Sequence, residues 1–258
     1  MPTPPAIAYT PPMPRKPRCI QGNHIYHVLN RSNARLTIFH TPDDYAVFER
    51  TLLQAHERYP IRILAYVLMP NHFHLVLWPK RGQEQMLSDF MRWLQLTHTQ
   101  RHHAHHAHHA HHAHHHTSGE WGGGHLYQGR FKTLPVQGDH HLRTLCRYVE
   151  RNPLRAKLVK RAEHWPFSSL YRRIRDSDED RQLLADFPST APFSLPRWLD
   201  RINTPQPERE LAALRHSIQR GAPFGSPDWI ARTAKSQNLQ HTLRPRGRPK
   251  KTRPKKDS

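Results

Sequence analysis

A dense run of apolar residues interrupted by two histidines, in the stretch MPNHFHLVLWP, predicts a β-strand over Asn71–Trp78. The stretch is bounded by prolines and is rich in aromatic and branched residues, as strands are. Successive side chains of a strand point to opposite faces. His72 and His74 are therefore expected on one face, and Phe73, Leu75 and Leu77 on the other.

Three more strands and three helices are predicted around this strand. The other strands are Ile25–Asn30, Ile61–Leu68 and Leu126–Val136, of which the last carries basic residues. The turn at Met69–Asn71 is short, so the second strand should pair with the histidine strand as a hairpin. The apolar spacing predicts one helix that opens at Thr41 with Pro42 in its first turn, one that contains Met86, Phe90, Trp93, Leu94 and Thr97, and one that runs from Asp139 to Asn152.

This order of elements predicts an α+β fold with a ferredoxin-like split βαβ sheet, β-α-β-β-α-β, followed by an extra helix that carries Tyr148. A catalytic domain over 23–170 is expected after a flexible arm, rich in proline and basic residues, over 1–22. Beyond the domain we expect a connector at 171–205, a small helical region at 206–240 and a disordered basic tail at 241–258. The helical region contains Glu208–Arg220, which Gly221 is placed to end, and Asp228–Ser236.

A low-complexity tract interrupts the pattern. His102–His116 reads HHAHHAHHAHHAHHH and holds 11 of the 24 histidines. We predict a tolerant loop over 102–124, in which a repeat has expanded, because exposed loops accept insertions at little cost. The alternative is a metal-chelating or pH-sensing tract.

The charge balance points to a polyanionic partner. Lys and Arg outnumber Asp and Glu by 40 to 20, a formal net charge of +20, and this favours nucleic acid or an anionic membrane surface. The apolar stretches are too short for a transmembrane helix and the N-terminus has no apolar signal region. The two cysteines, Cys19 and Cys146, form neither a disulfide framework nor a zinc pair. We therefore expect a cytoplasmic, nucleoid-associated protein that binds nucleic acid and no membrane.

Two short groups of residues carry candidate chemistry. His72 and His74 present two imidazoles on one strand face, as two corners of a metal site do; the alternative is two surface histidines on a half-exposed sheet. Tyr148 and Asn152 are four residues apart and share one flank of the third predicted helix. Alternatively, Tyr148 is an ordinary boundary residue, and Asn152 caps a new helix whose first residue is Pro153.

Five motifs in a fixed order make the chain resemble a known family. The motifs are YHVLNRSNAR, YVLMPNHFHLVLWP, HLYQGRF, RYVERNPLRAKLV and WPFSSL. They resemble the REP-associated tyrosine transposases, a branch of the single-tyrosine HUH (Y1, insertion-sequence-200-like) transposases, over roughly Gly22 to Leu170. The resemblance implies an enzyme that cleaves and rejoins single-stranded DNA hairpins such as repetitive extragenic palindromes.

The resemblance also implies roles for four residues. Tyr148 matches the nucleophile, which would form a 5′-phosphotyrosine intermediate and release a 3′-hydroxyl. His72, His74 and Asn152 match the ligands of a divalent metal ion, Mg²⁺ or Mn²⁺. A tyrosine with an ordinary pKa of about 10 is a weak nucleophile at neutral pH, so polarisation of the scissile phosphate by a Lewis acid suits this chemistry. No general base can be named from the sequence.

Six basic residues are candidates for holding DNA. Arg31 and Arg35 follow the first strand, and Arg130 and Lys132 lie on the fourth, where they would grip a single strand. The segment PRGRP in the tail resembles an AT-hook, which would place Arg246 and Arg248 in the narrow minor groove of A·T-rich duplex. The alternatives are ordinary solvated charges and a generic basic tail.

Two other functions remain open from the sequence. One is a non-catalytic, domesticated nucleic-acid-binding protein of the same fold. The other is a metal-dependent phosphodiesterase without a covalent intermediate. The hairpin sequence, the cleavage position and the choice between monomer and homodimer are not determined by the sequence.

Overall fold

The computed structural model describes residues 18–112, 125–138, 140–188 and 193–245, with the side chains of 107–112 left out. Within these ranges, four strands form one antiparallel sheet in the order β2-β3-β1-β4. This is the strand order of a ferredoxin-like split βαβ unit, and the predicted fold class is confirmed. The strands are β1 (Ile25–Arg31), β2 (Arg62–Met69), β3 (His72–Trp78) and β4 (Lys132–Val136).

The helices of the described ranges follow the chain from the first crossover to the C-terminal appendage. The predicted start of the first helix is confirmed: Thr41 caps it, and a reciprocal capping box joins Thr41 and Asp44. The helices are α1 (Pro42–Arg58), α2 (Glu84–His112), α3 (His140–Glu150), α4 (Asn152–Arg155), α5 (Ser169–Arg175), α6 (Asp178–Leu183), α7 (Leu195–Asn203), α8 (Glu208–Arg220), α9 (Pro227–Ser236) and α10 (Gln240–Leu243).

The sheet buries a separate apolar cluster on each face. On one face, Phe73, Leu75 and Leu77 of β3 pack with residues of α1 and α2. On the other face, Val76 packs with Leu145 and other apolar residues of α3. Because the side chains of β3 alternate, His72 and His74 share the face of Val76. The sheet therefore directs both histidines towards the helix that carries Tyr148.

The histidine tract differs from the prediction. α2 continues through His112, so the predicted loop is wrong for 102–112, and the remainder, 113–124, lies outside the described residues. Contacts with the preceding elements stabilise the extra turns: the Nε2 atom of His102 donates to the carbonyl oxygen of Ile38 at 3.2 Å, and the Nε2 atom of His106 lies 3.0 Å from a carboxylate oxygen of Asp44.

The fourth strand is shorter than predicted. It begins at Lys132 rather than Leu126, so Arg130 precedes the strand. Gly129 has a φ of +115°, a conformation that favours glycine and turns the chain before the strand begins. The segment 126–130 instead bonds to the end of β1, where Asn33 N–H donates to the Leu126 carbonyl and Gln128 N–H to that of Arg31.

The third predicted helix is divided in two. α3 ends at Glu150 and α4 begins at Asn152, while Asp139 lies outside the described residues. Pro153 has no N–H to continue the ladder. The backbone nevertheless remains helical through Arg151, whose N–H donates to Arg147 at 2.9 Å. Asn152 opens α4 rather than ending α3.

The regions on either side of the domain are more ordered than predicted. Residues 18–22 of the predicted flexible arm lie against the body, where Arg18 covers the ring of Phe131. The predicted connector, 171–205, contains α6, α7 and most of α5. Buried polar contacts anchor these helices: Arg172 pairs with Asp180 at 2.7 Å, and Trp198 donates to Glu150 at 2.7 Å. No described helix is both long and apolar enough to cross a membrane.

Candidate active site

The two histidines of β3 and the tyrosine of α3 meet on one face of the sheet. The rings of His72 and His74 lie edge to face, with centroids 5.1 Å apart. The ring of Tyr148 stands perpendicular to that of His74 at 6.0 Å. Tyr148 is 8% exposed and His74 is 3% exposed. The structure thus brings together residues of the chain that are more than seventy positions apart.

A hydrogen bond to Nδ1 orients each imidazole. The side-chain oxygen of Asn71 lies 2.6 Å from Nδ1 of His72, and Nε2 of His27 lies 2.8 Å from Nδ1 of His74. With Nδ1 engaged, Nε2 is the nitrogen of each ring that remains for a ligand, and such outer partners fix the ring orientation in metal sites. His27 was not predicted as a site residue. The alternation of β1 places its side chain on the same face of the sheet as His74, because His27 pairs with Val76.

Burial keeps both histidines neutral at physiological pH. Burial, with the nearby charges of Arg31 and Arg155, lowers the pKa of His72 to about 4. Burial, and then the neighbouring His27 and His72, hold the pKa of His74 well below its ordinary value. A neutral imidazole is the form that binds a metal ion.

Arg155 joins the tyrosine to the asparagine. Its guanidinium carbon lies 4.2 Å from the ring centroid of Tyr148, in a cation–π contact, and its Nη2 donates to Oδ1 of Asn152. Nη1 of Arg155 and Nδ2 of Asn152 are buried and have no partner in the described part of the chain. Buried donors without a partner are rare and are found at sites that bind a further group.

Arg155 was not among the site residues predicted from the sequence. Its available signal was the motif RNPLRA, in which Arg155 follows Tyr148 by seven residues and Asn152 by three. Helical positions at these spacings share one face. The division between α3 and α4 retains that geometry, because the intervening backbone stays helical.

The four described DNA-binding candidates lie at the end of β1 and at the start of β4. Arg31 is the last residue of β1 and lies directly opposite His72 in the sheet register. Arg35 is exposed in the following turn, where its carbonyl oxygen accepts from the side chain of Asn71 at 3.1 Å. Lys132 begins β4, the edge strand, opposite Leu29, which pairs with His74 on its other side, and Arg130 precedes the strand. Arg246 and Arg248 lie outside the described residues.

The donor set fits a divalent ion together with a phosphate. Among the described residues, no three His, Cys, Asp or Glu side chains form a metal-binding group. The two imidazoles of the pair therefore need a different third ligand. Oδ1 of Asn152 has two lone pairs, and Arg155 uses one of them. Since Arg31 and Arg155 add positive charge here, a cation is best accommodated when an anion enters with it.

Comparison with known proteins identifies the family. The profile of the family described as "Transposase IS200 like" matches residues 20–152, about half of the chain. This chain belongs to the IS200-like transposase family. A REP-associated tyrosine transposase of Escherichia coli K12 is 23% identical over 155 residues, which are 60% of this chain and 81% of that protein. The predicted resemblance to these transposases is confirmed.

One solved structure has a similar fold. It is described as the structure of the REP-associated tyrosine transposase bound to a REP hairpin, and it is 20% identical to this chain. The alignment covers 71% of this chain and 96% of that one, with a TM-score of 0.46. The matched IS200-like region, 20–152, contains His72, His74, Tyr148 and Asn152 and ends just before Arg155.

Proposed function

We propose that this protein is a metal-dependent transposase that cleaves and rejoins single-stranded DNA hairpins such as repetitive extragenic palindromes. The observation that carries the proposal is the convergence of Tyr148 on the His72–His74 pair, with the two rings of Tyr148 and His74 in edge-to-face contact at 6.0 Å. Membership of the IS200-like transposase family supports DNA strand transfer, and the name of the E. coli relative supports a REP hairpin as the substrate class.

In this proposal the Tyr148 oxygen attacks the scissile phosphate. A bond forms between that oxygen and phosphorus, and the bond from phosphorus to the 3′-oxygen of the preceding nucleotide breaks. The phenol loses one proton and the departing 3′-oxygen gains one, so the strand ends are a 5′-phosphotyrosine and a 3′-hydroxyl. Attack by a 3′-hydroxyl on the phosphotyrosine reverses the step and joins strands, because the covalent link conserves the phosphodiester energy.

The residues around Tyr148 bind and orient the phosphate. Arg155, held against the tyrosine ring, and Arg31, opposite His72, place positive charge where the attacked phosphate gains negative charge. His72, His74 and Asn152 would hold the divalent ion. When bound, Mg²⁺ or Mn²⁺ supplies Lewis-acid polarisation of the scissile phosphate.

The C-terminal tail is proposed to bind duplex DNA, with Arg246 and Arg248 in the minor groove of A·T-rich sequence. The tail from Arg244 carries eight Lys and Arg residues and one Asp. If all eight met duplex phosphates, log K would fall with log salt at a slope of about −7, from about −0.9 per phosphate. A slope that is unchanged by deletion of the tail would exclude it from binding.

The covalent intermediate provides the decisive test. Wild-type protein is incubated with a labelled hairpin from beside its own gene, with and without Mg²⁺ or Mn²⁺, and protein–DNA adducts that survive denaturation are measured. We expect an adduct that requires the metal and is lost in Tyr148→Phe. His72→Ala and His74→Ala should lose cleavage while they retain most of their hairpin affinity.

Each rival function predicts a different result in this assay. Cleavage that survives Tyr148→Phe would indicate a phosphodiesterase without covalent catalysis. Hairpin binding by the wild type with neither adduct nor cleavage would indicate a non-catalytic nucleic-acid-binding protein. Unchanged cleavage in either histidine variant would remove that histidine from the site.

A further inference from the structure

Two turns of the chain meet beside the candidate active site. The turn 32–36 follows β1, and the turn 70–71 leads directly into His72, the first residue of β3. The N–H of Ser32 donates to the carbonyl oxygen of Asn71 at 2.9 Å. This backbone bond holds the two turns against each other, so the end of β1 and the start of the histidine strand share one local structure.

The side chain of Asn71 bridges the turn 32–36 and His72. Its Nδ2 donates to the carbonyl oxygen of Arg35 at 3.1 Å, and its Oδ1 lies 2.6 Å from Nδ1 of His72. A backbone carbonyl can only accept a hydrogen bond, so the amide nitrogen must face Arg35 and the amide oxygen must face His72. That amide oxygen also only accepts, and Nδ1 of His72 must therefore carry the hydrogen. The lone pair of this imidazole is then on Nε2.

The contact at His74 has no such direction. Its Nδ1 faces Nε2 of His27 at 2.8 Å, and a ring nitrogen of a neutral imidazole can either donate or accept. Either arrangement of the hydrogens satisfies that contact. Of these two contacts, the one made by His72 is therefore the one in which the fold determines the tautomer.

The turn 32–36 is held in an unusual backbone conformation. Ala34 and Arg35 have φ angles of +51° and +62°, a region that residues with a Cβ adopt rarely. The hydroxyl of Ser32, which is buried, donates to the carbonyl oxygen of Leu36 at 2.5 Å and closes the turn. Such conformations persist where the surrounding contacts enforce them, and they are found at functional sites. In this turn, the conformation leaves the Arg35 carbonyl facing Asn71.

We infer that Asn71 is a positioning residue, which transmits the orientation of the Arg35 carbonyl to His72 and thereby places the lone pair of His72 on Nε2. The metal ion that this lone pair would bind rests on the proposed function. Partners of this kind fix the tautomer and the ring orientation of metal-binding histidines. The inference gives the turn 32–36 a role of its own: its backbone, rather than the charge of Arg35, prepares His72.

The tautomer of His72 can be measured without metal or DNA. In the full-length protein, labelled with nitrogen-15 and kept at neutral pH in EDTA, a ring nitrogen that carries a hydrogen has a different chemical shift from one that does not. The His72 signals are identified as those missing from His72→Gln. We expect the hydrogen of wild-type His72 on Nδ1.

Two substitutions of Asn71 should differ in this measurement. Asn71→Leu removes both ends of the bridge and should raise the share of His72 that carries its hydrogen on Nε2. Asn71→Asp keeps an acceptor for Nδ1–H and should keep the wild-type tautomer, which makes it the matched control. Calorimetric titration with Mn²⁺ should show about 10- to 100-fold weaker binding in the leucine variant, and the aspartate variant should recover the affinity.

Two substitutions of Arg35 separate its backbone from its side chain. Arg35→Pro cannot adopt a φ of +62°. It therefore displaces the carbonyl and should change the tautomer of His72 in the same direction as Asn71→Leu. Arg35→Gly removes the guanidinium but adopts a positive φ freely, and it should keep the hydrogen on Nδ1. Thermal melts by circular dichroism verify that each variant is folded.

Three results would overturn the inference. The first is a hydrogen on Nε2 of His72 in the wild type, and the second is the same tautomer in the wild type and in Asn71→Leu. The third is an equal effect of Arg35→Gly and Arg35→Pro, since the position of the carbonyl would then not be the cause.

The adduct assay separates this inference from the proposed function. A His72 hydrogen on Nδ1 that is lost in Asn71→Leu, in a protein that never forms the Tyr148 adduct, would retain the positioning role and refute the transposase chemistry. Wild-type protein that forms the adduct, with one His72 tautomer in every variant, would refute the positioning role alone.

Discussion

Arg155 contacts two residues of the candidate site at once, the ring of Tyr148 and the amide oxygen of Asn152. An arginine suits this position because its planar guanidinium stacks on a ring and donates in a fixed direction at the same time. The remaining buried donor, Nη1, has no partner among the described residues and is available to a phosphate oxygen. We therefore expect Arg155 to position Tyr148 and to stabilise the attacked phosphate.

Replacement of Arg155 tests this role. Arg155→Gln should slow adduct formation at saturating hairpin about 100-fold, the usual effect of removing one preorganised donor, and should weaken hairpin binding much less. Arg155→Lys should recover part of the rate, since it restores the charge but not the planar contacts. The control is Arg161→Gln, which removes an exposed arginine paired with Glu163. Equal rates in Arg155→Gln and the control would exclude the role.

The contact between His27 and His74 couples the protonated nitrogens of the two rings. For Nε2 of His74 to bind a metal, Nδ1 must carry the hydrogen and donate it to Nε2 of His27, 2.8 Å away. His27 is fully buried and burial lowers its pKa to about 3, so it stays a neutral acceptor.

Two substitutions of His27 should therefore differ. His27→Leu removes the acceptor and should weaken Mn²⁺ binding about 10- to 100-fold, as loss of an outer-shell partner does. His27→Gln offers an amide oxygen and should bind more tightly than the leucine variant. Calorimetric titration of folded protein with Mn²⁺, checked by circular dichroism, measures both. Affinities identical to wild type in the leucine variant would show that His27 has no such function.

Among the secondary-structure elements, α1 has the start that is most clearly explained by neighbouring residues in the sequence. Thr41 accepts from the backbone of Asp44, and the Asp44 carboxylate accepts from the N–H of Thr41 at 2.9 Å. Pro42 occupies the first turn, where its missing N–H needs no partner. These interactions satisfy donors that an isolated helix end leaves without partners.

Thr41→Ala should lower the free energy of unfolding by about 1 kcal/mol, because it removes this cap. Urea denaturation at constant pH measures the change. The matched control is Ser226→Ala at the N-cap of α9, where the serine side chain makes no capping bond. A loss in the control as large as that in Thr41→Ala would mean that the hydroxyl bond of Thr41 is not the cause.

The junction of α3 and α4 shows how an element can depend on a contact far away in the chain. Pro153 interrupts the ladder, yet the backbone at Arg151 stays helical, and the side chain of Arg151 donates to the carbonyl oxygen of Ile202 in α7. Arg147 likewise donates to Thr204 at 2.8 Å. The C-terminal helices therefore support the segment that holds Tyr148 and Arg155.

At the scale of the whole molecule, several histidines are folded into the interior in their neutral form. Burial lowers the pKa values of His27 and His98 to about 3 and that of His72 to about 4. Each of these groups has an ordinary pKa near 6.5 in the unfolded chain. Below that pH, the unfolded chain binds protons that the folded chain does not.

Stability should therefore fall as the pH is lowered from about 6.5 towards 4. Between pH 6.5 and 5.5 each of these groups in the unfolded chain goes from half to about nine-tenths protonated, which costs about 1 kcal/mol per group and about 3 kcal/mol for the three together. Urea midpoints in EDTA between pH 7.5 and 5.5 measure the slope. His98→Gln removes one of the buried histidines and should reduce the loss over this interval by the share of one group, about 1 kcal/mol. A flat profile in the wild type would contradict the expected burial of neutral histidines.

Local patterns in the sequence determined the framework. The two-residue period of β3 determined the shared face of His72 and His74, and the capping residues determined where α1 begins, because both effects act within a few residues. The order of elements was sufficient to predict the split βαβ sheet. The helix Glu208–Arg220 was likewise predicted from its apolar spacing and from Gly221, which has a φ of +68°.

Only the tertiary structure decided the contacts between distant segments. His27 meets His74 through the register of β1 against β3. The side chain of Trp198, in α7, donates to buried Glu150 and so anchors a helix where a connector was predicted. The histidine tract continues α2 because His106 reaches Asp44. Such pairs depend on how elements pack in space, and the short periods that identify an element carry no information about which other element it will meet.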